Sequence, residues 1–416
     1  MKSVNSAYIV WIENFTNPIL KGQVADLLKE LRVSFHVGKY FLIHFKPFYR
    51  FFFKSSKDER TLIKQLKAEL KKSQITLVSI PVVFPGQWFS ARWYQIPLIQ
   101  LHAFPILLFF SIFKSVNIFH CRAYPATLPA LMVKKITGAK VIFDPRSPFP
   151  EENITAGLWK EGSLSDKKWR NLEKTYLAHA DATIAIAPSY STHFLKIAPN
   201  ANLYEIPNNV DLNVFEINIE LRNSLRNKLG IGNDEIVFTY SGGLSNHWNN
   251  PRTYAEFIIK IREFDFKHRF LFITPFVDFL TNIFNEYKID SNEYLAVSAD
   301  FKEVPSYLSC ADFGINLMSK PDIRISIKTV EYLAMKLPVI VNHNVIGASE
   351  LIKKHNVGLI IDLEKPNLSE LKYFINTKNK ELSDRCRQVA FENYSTEKVA
   401  KKYSSVYHHF LNNIIQ

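Results

Sequence analysis

Lys328 and Glu331 stand one helical turn apart in a stretch whose helix is expected to begin near Ser326, which puts an ammonium and a carboxylate on one face. A helix N-terminus with a cation beside it suits a diphosphate, and a carboxylate one turn further in can accept two ribose hydroxyls. Arg324 is the nearest additional cation in sequence. The same spacing also fits an exposed helical ion pair, worth about 0.2–0.5 kcal/mol. Ser241, Gly242 and Gly243 follow an expected strand, where glycine lets backbone N–H groups come close to a diphosphate. An ordinary strand-to-helix turn would look the same. Asp144-Pro145-Arg146 ends another expected strand. Asp144 could position a hydroxyl and Arg146 could meet a phosphate, or the two could form a buried pair that caps the strand.

These groups need a scaffold, and the pattern around them is α/β. Short apolar runs at 7–12, 74–81, 116–120, 140–144 and 182–187 alternate with helical spacing at 22–31, 126–137 and 167–178. After 204–209 the pattern restarts, with strands at 235–241, 269–274, 294–297, 313–317, 339–342 and 359–362 and helices at 250–264 and 277–287. Alternation of this kind implies two doubly wound, Rossmann-like units with a ligand crevice at their carboxyl edges. The expected division is 1–206, 207–392 and a C-terminal helix at 393–416 that crosses back.

The 416 residues carry 52 basic against 39 acidic side chains, a formal charge of +13, and a globular 47% hydrophobic content. Cys121, Cys310 and Cys386 are too far apart for a CxxC metal site or a disulfide framework, which suggests a reducing compartment. The N-terminus lacks the apolar core of a signal peptide, so a cytoplasmic location is expected. Residues 1–114 hold twelve lysines and four arginines against six acids. Within them, 36–60 interleaves Lys39, Lys46, Arg50 and Lys54 with aromatic rings, a composition suited to an anionic membrane surface or to a core strand with a solvated basic face. No nucleic-acid recognition motif accompanies the charge. The apolar stretch Ile96–Phe113 is interrupted by prolines and polar residues and is expected to be buried or interfacial, not spanning.

Five segments occur in an order that resembles the retaining, nucleotide-sugar-dependent glycosyltransferases of family four, which have the GT-B fold. They are YEIPNNVDLNVF (204–215), YSGGL (240–244), VPSYLSCAD (304–312), KTVEYLAMKLPVIV (328–341) and NYSTEKVAKKYSSVYHHF (393–410). The resemblance implies a nucleotide-sugar donor held by Ser241, Gly242, Gly243, Arg324, Lys328 and Glu331. It implies Asp144 and Arg146 as catalytic groups, and Gly22 in a loop after the first strand on the acceptor or sugar side. The implied reaction is sugar transfer with retention, by front-face attack, to a hydroxyl of a glycan or lipid-linked acceptor, with no essential metal. In cell-surface polysaccharide or glycolipid synthesis the enzyme would lie peripherally on the inner face of the cell membrane. The family's two glutamates lie eight apart, yet eight residues before Glu331 stands Ile323, with Asp322 beside it. The family's arginine and lysine of the second-domain loop are here Gly243 and about Trp248. Two other readings stay open: a GT-B-shaped sugar-nucleotide epimerase, for which His120 and Asp144 are the candidate acid–base pair, and a catalytically silent membrane or glycan-binding scaffold.

Overall fold

The computed structural model describes residues 4–35, 38–49, 57–85, 90–262 and 264–415. The chain divides into two compact units, Met1–Pro207 with Val399–Gln416, and Asn208–Lys398.

In the first unit β1 (Asn5–Trp11), β2 (Tyr40–Pro47), β3 (Ile75–Val82), β4 (Val116–Arg122), β5 (Lys140–Asp144), β6 (Ala182–Ala185) and β7 (Leu203–Glu205) form a parallel sheet of order β3-β2-β1-β4-β5-β6-β7. Every residue of β1 is buried, as expected of a strand covered on both faces. One covering layer is the helices Leu27–Ser34 and Lys57–Lys72 together with the end of the chain. Val399, Tyr403, Val406, Tyr407 and Phe410 of the last helix, Thr396–Ile415, share a core with Tyr8, Val10 and Leu42.

The second unit repeats the plan. β8 (Ile236–Ser241), β9 (His268–Ile273), β10 (Tyr294–Val297), β11 (Phe313–Asn316), β12 (Val339–Asn342) and β13 (Gly358–Ile361) order as β10-β9-β8-β11-β12-β13. Phe238, Phe270 and Phe313 stack across its centre at centroid distances of 5.3 and 5.6 Å. In both units the strand order reverses at the first strand of the unit, and the carboxyl ends on either side of that reversal are where such sheets bind ligands.

Two expectations change. Residues 40–47, read from composition as part of a membrane-facing segment, are the second strand of the first sheet. Tyr40, Phe41 and Phe45 are buried in the core and Lys46 pairs with Glu59 at 2.7 Å, so these groups do not face a bilayer. Lys39 lies just before the strand, while His36, Arg50 and Lys54 lie outside the described residues. Gly22, expected in a loop, sits in a π-helical turn, Lys21–Asp26, entered through an Asn17 cap and Pro18. A Cβ added there would meet nothing within 4 Å, so the turn does not require glycine for space.

Candidate functional site

The helix Ile327–Ala334 starts after Ser326, whose backbone is extended at φ −66°, ψ 146° and whose hydroxyl is turned toward Thr329 (3.0 Å) instead of capping a backbone N–H. The first N–H groups of the helix therefore have no side-chain cap. From this helix Lys328 reaches back over β8. Its ammonium donates to the Tyr240 hydroxyl (3.0 Å) and to Asn249 Oδ1 (3.2 Å), and lies 4.3 Å from the Tyr240 ring centroid. Tyr332, on the same helix, accepts the backbone N–H of Ser241 at 2.7 Å. The end of β8 and this helix are thus locked together.

Gly242 closes the arrangement. Its φ is +130°, a conformation side chains rarely adopt, and a Cβ there would sit 3.4 Å from Lys328 Cε. Gly243 follows, its carbonyl accepting the Tyr240 hydroxyl at 2.5 Å. Four of the sequence-predicted residues, Gly242, Gly243, Lys328 and (through Tyr332) Ser241, therefore come together.

Glu331, one turn beyond Lys328, is buried, and its carboxylate has no hydrogen-bond partner among the described residues. The exposed ion-pair reading fails, because neither side chain is on the surface. Burial pulls the Lys328 ammonium down to about 7, opposed by Glu331, and burial pushes the Glu331 carboxyl up to about 7, opposed by Lys328. A carboxylate in so dry a place gains from any hydrogen-bond donor that reaches it. Such a group beside uncapped helix N–H groups suits a ligand that brings both hydroxyl donors and negative charge.

Arg324 belongs to the turn before the helix. Asp322 holds it by Nε–carboxylate bonds of 2.8 and 3.0 Å, and its guanidinium lies 5.4 Å from the Trp248 ring centroid. Position 248 supplies no cation, yet a cation from the 322–325 turn stands over it. Gly347 permits this packing, since a Cβ there would lie 2.6 Å from the Arg324 carbonyl carbon. Asp322, the residue beside the expected first carboxylate, is buried and used in positioning Arg324. Trp248, Tyr240 and Tyr332 had no signal of their own in the sequence.

In the first unit Asp144 ends β5 and is 0% exposed. Its Oδ2 accepts the Tyr403 hydroxyl (3.1 Å) and lies 3.3 Å from His120 Nε2, while Arg146 Nη1 reaches Oδ1 at 3.3 Å. Burial favours its protonated form, but Arg146, then His120 and Arg122, outweigh this and hold the carboxyl far below the usual range. Asp144 is thus the centre of a buried network, and Arg146 is the member of the pair with side-chain exposure. Arg146 takes φ +61°, as Ala123 after β4 and Ile12 after β1 also take positive values (64° and 56°). Strain of this kind at three neighbouring carboxyl ends accompanies ligand sites. Sequence reading missed the partner network, in which Arg122 binds Glu13 (2.9 Å) and Gln23 (3.0 Å). His120 is buried, its pKa lowered by burial, and its other nitrogen lies 3.0 Å from the Tyr407 hydroxyl. The epimerase reading requires His120 and Asp144 to reach a sugar carbon, whereas here both are buried with their polar atoms engaged in this network.

No family model and no curated protein sequence matches the chain. Solved structures do match. A glycosyltransferase from Rickettsia africae superposes with a TM-score of 0.69 at 16% identity, over 99% of this chain and 100% of that one. Anabaena HepE in complex with UDP and glucose gives 0.64 at 13% identity, over 98% and 100%. Sucrose-phosphate synthase from Thermosynechococcus elongatus gives 0.69 at 12% identity, over 99% and 100%. At such identities the likeness shows the fold: the chain has the GT-B architecture of glycosyltransferases.

Proposed function

We propose that this protein is a glycosyltransferase that moves a sugar, with retention, from a nucleotide-sugar donor to a hydroxyl of a glycan or lipid-linked acceptor. The observation that carries the reading is the placement of Lys328, Gly242 and unpartnered Glu331 around one helix N-terminus at the carboxyl end of β8. HepE, of the same fold, is seen with UDP and with UDP-glucose, which supports a uridine or related nucleotide donor here. In this reading Glu331 accepts the ribose hydroxyls. Lys328, Arg324 and the N–H groups of residues 243 and 327–328 take the diphosphate, while the Gly242 N–H stays with the Ile273 carbonyl (2.9 Å). The acceptor hydroxyl attacks the anomeric carbon on the face the diphosphate leaves, and its proton passes to the departing phosphate oxygen. Fixed cations and helix dipoles then stabilise charge as it builds on that oxygen, which is how such sites lower a barrier. In this reading Arg146, braced by Asp144, meets an acceptor phosphate. No metal takes part in this scheme.

The test is a panel of nucleotide sugars with free nucleotide as readout. Transfer or slow donor hydrolysis releases nucleotide. Conversion to another nucleotide sugar without release would assign an epimerase, and no turnover with any donor would leave a binding scaffold.

The protonation states lead to a second expectation. A diphosphate favours charged Lys328, and ribose hydroxyl donors favour ionised Glu331. With both groups near 7 in the free protein, nucleotide diphosphate affinity should peak close to neutrality. It should fall toward roughly tenfold per pH unit on either side. Binding should take up protons on the alkaline side and release them on the acid side. Titration calorimetry in buffers of different ionisation enthalpy measures both, and a flat profile would remove the pair from the ligand.

We also propose peripheral attachment of the first unit to the cytoplasmic leaflet of the cell membrane. The stretch Trp93–Phe113 is long and apolar enough to cross a bilayer, and only 28% of its 18-residue apolar part is buried in the unit. Ile99, Ala103, Leu107 and Phe110 of the helix Ile96–Phe113 are buried. Leu101 (68% exposed), Phe109, Ile112 and Phe113 (70%) face outward, with Trp93 and Tyr94 at one end and Lys114 at the other. An outward apolar face flanked by aromatic and basic residues fits the headgroup boundary. Anionic vesicles should bind the protein more strongly than neutral ones, and Phe109→Ser with Phe113→Ser should release it without altering nucleotide affinity. Resistance to carbonate extraction would instead point to insertion.

A further inference from the structure

We infer that the first unit carries a divalent transition-metal site built by Glu151, Glu173 and His193. The three side chains come from three helices, Phe149–Thr155, Leu164–His179 and Pro188–Ile197, and one ligand atom of each lies within 4.8 Å of the other two. None of these helices contributes a residue to the donor site.

Two polar atoms in this cluster lack partners. Glu151 Oε2 and His193 Nε2 are both buried without a hydrogen bond. Glu173 is 1% exposed, and its one hydrogen bond among the described residues is the Tyr124 hydroxyl on Oε1. Arg170 reaches Glu151 Oε1 and Asp166, so its charge is committed on the far side of Glu151. Two carboxylates and the acceptor nitrogen of a neutral imidazole, facing one another, leave lone pairs with nothing to accept, and buried acceptors of this kind are costly. A cation supplies what all three lack.

The donor set selects its class. One imidazole with two carboxylates is a zinc-type set, shared with Mn²⁺ and Fe²⁺, whereas Mg²⁺ and Ca²⁺ prefer oxygen alone. The Tyr124 hydroxyl and the Arg170 guanidinium already orient the two carboxylates, as supporting partners do in such sites. Two of the ligand-bearing helices bracket the turn that carries Arg146: Ser147 donates to Glu152 at 2.5 Å, and the Tyr190 hydroxyl contacts the Arg146 carbonyl at 3.5 Å. A bound cation would brace that turn from both neighbouring helices. The site escapes sequence scanning because its ligands lie on three separate helices, with no short His or Cys spacing to mark it.

The test uses the full-length, tag-free protein after chelation and dialysis. It is titrated with Co²⁺ alone, read by visible absorption, and then competed with Zn²⁺. We expect one saturable equivalent, displaced by Zn²⁺, and a higher melting temperature for the loaded protein. Glu173→Gln keeps the shape and an acceptor for Tyr124, and His193→Ala removes the nitrogen ligand. Each should weaken binding by more than the roughly 10–100-fold that losing a supporting partner costs. If either variant fails to fold, Glu151→Gln replaces it. Absence of a stoichiometric Co²⁺ spectrum in the unaltered protein overturns the proposal. So does undiminished binding in the variants, and the cluster is then held by a proton on Glu173, whose carboxyl is pushed up to about 8 by burial and then by Glu151. None of these readouts depends on sugar transfer, so the outcome stands apart from the function proposed above.

Discussion

Glu331→Ala is expected to abolish transfer and to weaken nucleotide binding by about 1–3 kcal/mol, roughly 5- to 150-fold, through loss of two charge-assisted bonds to ribose. Because the carboxylate has no partner in the free protein, its removal breaks no internal hydrogen bond. The folded state should therefore survive the substitution, and it should gain stability above neutrality, where Glu331 is buried and ionised. The sign follows from a folded-state pKa raised to about 7: the carboxyl adds stability at low pH and loses it as pH rises through 7. A matched pair of titrations separates the roles within the site. Arg324→Ala should reduce affinity for nucleoside diphosphate much more than for the nucleoside, whereas Glu331→Ala should reduce both. Unchanged nucleotide affinity in a folded Glu331→Ala protein would exclude this residue from the site.

The largest expected loss of stability lies in the other unit. Asp144→Ala would leave Arg146 and the Tyr403 hydroxyl without the group they share, and removing one partner of a buried pair costs about 3–5 kcal/mol. The pH dependence distinguishes this from simple loss of packing. Asp144 keeps a folded-state pKa far below its unfolded value, so its contribution is complete above the unfolded value of about 4 and fades as pH falls toward the folded one. Urea unfolding of both proteins should show a wide gap at neutral pH that narrows in acid. A gap that stays constant between pH of about 7 and about 3 would mean that charge is not what the residue contributes.

The residues gathered at the end of β8 were legible in sequence because their placement depends on local rules. Helical spacing puts Lys328 and Glu331 on one face, and the glycines mark the end of β8. What surrounds them was not legible. Arg324 stands over Trp248, and its segment packs closely where Gly347 leaves room for it. Strand β2 was hidden for a different reason. A strand buried on both faces has no period-two alternation, and YFLIHFKP, flanked by lysines, has the same composition as an interfacial segment. The Arg122–Glu13–Gln23 bonds join segments about a hundred residues apart, and no spacing rule reaches that far. Gly22 misled because a glycine after a strand suggests a loop, whereas the Asn17 cap and Pro18 start a helix four residues earlier.

The last helix, which walls the first unit and gives Asp144 its Tyr403 and His120 its Tyr407, imposes an order on biosynthesis. Strands β1 to β7 leave the ribosome long before residues 399–411 exist. At roughly 5–20 residues per second the delay is on the order of tens of seconds. During that interval the nascent first unit has an apolar face without its cover and a buried carboxylate without one of its donors, while Asn208–Lys398 emerges with all of its own strands. The half of the molecule translated first is thus the half completed last. A premature stop at Val399 would release a chain whose second unit is whole and whose first unit lacks a wall. Such a product would be recognised by chaperones and proteases at its beginning and not at its truncated end.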